Sequence, residues 1–178
     1  MDPEREKRVR EKLRDEGRES IMVTGLIREQ VYAFLIGRGF YEEEIEIDPF
    51  LKVTDCKRTE DCAVDFVLEP EGKVFAAVIC SPAALESSER HALAWGRLRG
   101  AMYSIITNGA DARVLRTDTG ELLGEKILDI PERDQAVLFL RDYVPPEYPE
   151  DKLLKERRIL LAFNVARCNF KDICPSGQ

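Results

Sequence analysis

Residues 65–82 read D-F-V-L-E-P-E-G-K-V-F-A-A-V-I-C-S-P. Val64 to Leu68 and Val74 to Cys80 are apolar, β-prone runs, and the Pro70-Glu71-Gly72 turn between them supplies the φ-permissive residue that a tight reversal needs. The stretch therefore predicts a β-hairpin closed by Pro82, around which the rest of the chain is arranged. A loop over residues 69–74 sets Leu68 against Phe75, and the same register carries Asp65 opposite Val78 with Cys80 on the same face. Asp65, Val78 and Cys80 then share a corner. Glu71 and Lys73 sit instead at the hairpin tip, on the order of 13–20 Å from Asp65 at ~3.3 Å per residue.

Outward from the hairpin, the upstream chain predicts a helix and a strand. Leu26, Ile27, Val31, Phe34 and Leu35 recur at helical spacing over residues 21–36, and Gly37 and Gly39 stop that helix. Residues 42–48, E-E-E-I-E-I-D, pass from a charged turn into an alternating strand, in which Glu44, Glu46 and Asp48 would line one exposed face. Residues 1–20 are mostly charged and read as a solvated arm or helix. Downstream, Ser87 or Ser88 can cap a helix that Gly100 ends, with Ala92, Trp95 and Leu98 as its apolar stripe. Two strands follow, over 102–107 and 112–116, and residues 121–126 can pair back after the Asp118-Thr119-Gly120 turn. Pro131 opens a helix over 132–143, the proline-rich segment 144–149 breaks the chain, and an amphipathic helix covers 150–167. The expected architecture is α/β, a central mixed sheet of about five strands with helices on both faces. The expected division is a charged arm (1–20), an α/β domain (21–130) and a helical extension packed on that domain (131–178).

The hairpin resembles the metal-binding hairpin of the PD-(D/E)xK nuclease superfamily, in the version found at the N-terminus of type I restriction enzyme R subunits. In that family an Asp precedes a strand ending Glu-x-Lys and then Pro. Asp65 matches the Asp and Pro82 the Pro, while Val78 and Cys80 stand where the Glu and Lys belong. The passage from Gly39 through Glu46 resembles the family's acidic strand, which implies that Glu46 completes the metal site. His91 and Trp95 fall on the family's Gln-x-x-x-Tyr positions in the following helix, although a lone His beside a Trp also suits plain packing. The T-N-G of 107–109 and the D-T-G-E of 118–121 continue the likeness, which runs from about Val31 to Gly124. It implies a restriction-endonuclease-like fold with a remnant site, Asp65 and Glu46, that holds no metal or a weak Mg²⁺.

Composition narrows the functional classes. At 178 residues and 44% apolar, the chain can build one full core, and its net charge of −7 offers no overall field for phosphates. Arg90, Arg97 and Arg99 nonetheless lie close together on one predicted helix, where they would form a local basic strip. No apolar run reaches the length of a membrane span and the start M-D-P-E-R-E-K-R lacks a signal-peptide core, so a cytoplasmic protein with no membrane partner is expected. The five cysteines then read as reduced thiols, and the five-residue gaps of Cys56/Cys62 and Cys168/Cys174 are wider than structural zinc pairs use. Three readings stay open: a catalytically silent nuclease-fold protein that binds DNA or a protein, an active metal-dependent nuclease with Lys73, Glu86 or His91 as migrated residues, and a pure interaction module. The sequence leaves the oligomeric state open.

Overall fold

The computed structural model describes residues 19, 22–55 and 58–171, with side chains as far as Asn164; the charged arm apart from Glu19, Cys56, Cys174 and the side chain of Cys168 lie outside them. Helix α1 covers 22–37. Strands β1 (Ile45–Ile47), β2 (Phe50–Thr54), β3 (Thr59–Ala63), β4 (Phe66–Leu68) and β5 (Ala76–Cys80) follow, then helix α2 (Glu89–Arg99) and strands β6 (Tyr103–Thr107), β7 (Asp111–Arg116) and β8 (Leu122–Lys126). Helices α3 (Arg133–Leu140) and α4 (Glu150–Lys171) follow.

Six strands form one mixed sheet in the order β1-β4-β5-β6-β7-β8, and β2 and β3 pair as a separate hairpin. Among the described strands only β5 and β6 run parallel, because α2 carries the chain across between them. All five residues of β5 are buried, as expected for a strand covered on both faces. Ala76, Val78 and Cys80 join Ile27, Val31 and Leu35 of α1 and Ala136 and Leu140 of α3 in one core. Ala77 and Ile79 join Ala92 and Trp95 of α2, Leu160 and Leu161 of α4, and Val53 and Cys62 of the β2–β3 hairpin in the other. The period-2 alternation of one strand thus sorts its residues between two helical layers.

The sheet has one strand more than expected, because the short β1 pairs with β4 at the edge. The β4–β5 register is also shifted by one residue: Phe66, not Asp65, stands opposite Val78, and Leu68 stands opposite Ala76. The connection is wider than a tight loop, since Glu71 (φ 55°) and Gly72 (φ 74°) both turn left-handed and Phe75 remains outside the ladder. At the two ends the ladder slips back, so that the Phe75 N–H donates to the Leu68 carbonyl at 2.8 Å and the Asp65 N–H to that of Val78 at 3.1 Å. Gly100, at φ 78°, ends α2 as anticipated. Among the described residues, no helix is long and apolar enough to cross a membrane.

Candidate functional site

The corner at the start of β4 is built from three elements. Asp65 precedes β4 at a bend, and its backbone carbonyl accepts from the Asp48 N–H at 3.0 Å, which ties the end of β1 to it. The Asp65 side chain is buried, and its Oδ2 accepts a hydrogen bond from the Cys80 N–H at the end of β5, 2.7 Å away. Its Oδ1 lies 3.4 Å from Nε of Arg28, which α1 supplies from above. The same guanidinium donates from Nη2 to Asp48 Oδ1 at 2.7 Å and lies over the Phe66 ring, 5.7 Å from its centre. One arginine therefore bridges two carboxylates, Asp65 buried and Asp48 half in solvent. Burial opposes the charge of Arg28, but the bond to Asp48 and the fields of Asp65, Asp48 and Cys80 outweigh it and hold its pKa above the ordinary value.

Val78 and Cys80 face the same side of the sheet as this corner, and both side chains are buried in the α1–α3 core. Glu46 does not meet them. It stands directly opposite Val67, whose side chain belongs to the α2–α4 core, so Glu46 projects from the other face of the sheet. There it is half exposed, 3.8 Å from Nη2 of Arg99. The expected convergence of Glu46 with Asp65 fails because alternation along a three-residue strand sends Ile45 and Ile47, not Glu46, toward α1.

His91 and Trp95 also lie on the α2 side, away from Asp65. His91 is buried and stacks on Phe163 of α4, centroids 5.1 Å apart at 12°. Trp95 is fully buried and donates from Nε1 to the Cys62 carbonyl at 3.0 Å. Both join α2 to the layer above it. The other candidate replacements are equally distant in role: Lys73 donates to the Leu140 carbonyl at 3.1 Å, and Glu86 lies 3.5 Å from Arg113.

Two of the three arginines of the basic strip expected on α2 are paired with carboxylates, and Arg90 is exposed. Arg97 donates to Glu156 Oε1 at 2.7 Å and to the Thr117 carbonyl at 2.9 Å, and Arg99 donates to Glu69 at 2.9 Å. Arg38, Arg58, Arg113, Arg116, Arg133 and Arg157 are each paired with a carboxylate as well. Sequence reasoning missed two residues of the corner. Arg28 reads as one more polar position on an amphipathic helix, and Asp48 as the end of an exposed acidic strand. The signal present for Asp48 was the following Pro49, since an Asp before Pro favours a turn. Asp48 makes that turn at φ 51°.

No family model matches the sequence, and no curated protein matches it. Among solved structures, the chain is similar to a fragment described as an HsdR subunit of a type I restriction enzyme from Vibrio vulnificus YJ016, with 19% identity and a TM-score of 0.49. The superposition covers 62% of this chain and 23% of that one, so this chain spans under a quarter of the fragment's length.

Proposed function

We propose that this chain is a module like the N-terminal domain of type I restriction R subunits, that it cleaves no DNA, and that it acts by binding another protein. The observation that carries the reading is Arg28. A nuclease of this superfamily needs a divalent cation between carboxylates at this corner and an amine to position water. Here a guanidinium already pairs with Asp65 and Asp48, Val78 and Cys80 supply apolar wall instead of a carboxylate and an amine, and Glu46 is across the sheet. The side chains present do not fit a resident Mg²⁺. The pairing of Arg97 and Arg99, with the net charge of −7, favours a protein partner over a phosphate backbone.

The test is incubation of the protein with plasmid and single-stranded DNA in Mg²⁺ or Mn²⁺, together with an electrophoretic shift assay on duplex DNA. The expected result is intact DNA and no shift at physiological salt. Metal-dependent cleavage that disappears in an Asp65→Ala variant would overturn the silent reading, and a shift that weakens steeply with salt would restore DNA as the partner.

A further inference from the structure

Beside the corner, the open edge of the sheet and helix α1 border a shallow, open recess of about 330 Å³, lined by Gly25, Arg28, Glu29, Tyr32, Ile47 and Phe66. Its floor is aromatic, with the rings of Tyr32 and Phe66 6.2 Å apart. Its outer wall is β1, the last strand of the sheet, whose other side pairs with nothing among the described residues. The Asp48 N–H and the Glu44 carbonyl are turned toward β4, bonding Asp65 and Glu69. By the alternation of an antiparallel ladder, the N–H and carbonyl of Ile47 are then turned to the open edge. Ile47 itself is 53% exposed and Phe50, just beyond it, 63%. A sheet edge with outward main-chain groups and exposed apolar side chains is a template for another strand.

Gly25 is the second, independent sign. A glycine within a helix costs about 0.5–1 kcal/mol relative to alanine. A Cβ there would meet nothing within 4 Å, so nothing among the described residues requires the position to be bare. Its absence widens the recess. Three exposed carboxylates give the surroundings an acidic balance: Glu29 lines the recess, and Glu42 and Glu43 lie three and two residues before β1, whereas Asp48 is taken up by Arg28, which also lines the recess, and Glu46 lies on the other face beside Arg99.

We propose that this edge is a docking site for an extended, basic segment of a protein partner, which adds to β1 as a strand and sets one apolar side chain into the recess over Tyr32 and Phe66. The proposal rests on the reading that the chain acts through protein contacts. Strand addition uses main-chain bonds for affinity and alternate side chains for specificity, and here one set of alternate positions would meet the recess. The carboxylates select lysine or arginine for the other set. They also disfavour a second copy of this chain, because a two-fold contact would bring Glu42 and Glu43 toward their own images.

The test uses the full chain and a fluorescent peptide alternating lysine with valine or leucine, read by anisotropy, with the glutamate counterpart as control and labelled duplex DNA in parallel. Two variants accompany the parent: Gly25→Leu, whose side chain fills the recess, and Ile47→Lys, which places a cation at the edge. The lysine peptide is expected to bind the parent, to bind at least about tenfold more weakly to both variants, and to bind more weakly in high salt. The glutamate peptide is expected not to bind. Gly25→Leu should melt no lower than the parent, which separates a filled recess from a damaged fold. No binding of the lysine peptide, equal binding by parent and Gly25→Leu, or equal binding of the two peptides would each overturn the proposal. Parent self-association lost in Ile47→Lys would overturn it in favour of a second copy. Binding or cleavage of the DNA would instead overturn the protein-binding reading, whatever the peptides do.

Discussion

Arg28 and Arg133 hold carboxylates in two different ways. Arg28 answers Asp65, whose side chain is 6% exposed, and Asp48, whose side chain is 61% exposed. Replacing it with methionine keeps the apolar stem over Phe66 and removes the cation 3.4 Å from Asp65. Breaking a well-buried pair costs about 3–5 kcal/mol, and partial exposure of Arg28 reduces the expected loss to about 2–3 kcal/mol. Thermal unfolding of Arg28→Met should show that loss, and added Mn²⁺ should raise its Tm more than the parent's, because the cation that competes with a metal ion at Asp65 and Asp48 is then gone. Equal Mn²⁺ responses would mean that the guanidinium does not take the place of a cation. Arg133 grips Glu44 with Nε and Nη2 at 2.7–3.1 Å, and Tyr41 N–H donates to the same carboxylate at 3.2 Å. Burial raises the Glu44 pKa, but the Arg133 and Tyr41 bonds and the charge of Arg133 outweigh it, so the carboxyl lies below the ordinary value of 4.5. A depressed folded pKa adds stability above the unfolded pKa and loses it as pH falls through the folded one. Tm should therefore drop on acidification below about pH 4.5, and Glu44→Gln should melt lower at neutral pH with a flatter profile in that window.

Helix α2 approaches the sheet closely because Gly96 has no side chain. A Cβ there would lie 2.5 Å from Ser104 Oγ and 3.0 Å from Thr117 Cγ2. Ser104 is committed, donating to the Ala92 carbonyl at 3.1 Å and lying 2.9 Å from Thr117 Oγ1. Gly96→Ala should thus cost about 1–3 kcal/mol by displacing a buried polar pair, despite alanine's higher helix propensity. Gly25→Ala, in α1, should gain about 0.5–1 kcal/mol. Urea titration of the two variants measures opposite shifts of midpoint from the same chemical change. Identical shifts would mean that α2 does not sit against β6 as described.

The molecule depends on α4 to close its second layer. Leu160 and Leu161 are fully buried with Trp95, and Glu156 binds Arg97 of α2. Leu161→Ala should cost about 2–5 kcal/mol, the range for a leucine truncated in a packed core. A loss under about 0.5 kcal/mol, the usual effect of surface changes, would place α4 outside the cooperative unit.

The order of elements was legible in the sequence because it depends on local signals: the alternation of Ala76 to Cys80, the turn at Pro70 to Gly72, the stop at Gly100 and the helical spacing of Ile27, Val31 and Leu35 each act over a few residues. The meeting of Asp65 with the end of β5 was also within reach, since a hairpin fixes which residues lie across from one another to within one position. Two things required the tertiary structure. The face of Glu46 depends on the register of β1 against β4, and a one-residue change there inverts every side chain. The pairing of Arg28 with Asp65 and Asp48 joins α1 to two strands across 37 and 20 residues of sequence, respectively. No spacing rule encodes such a contact, because it arises only when the helix packs across the sheet and the buried carboxylate must find a cation.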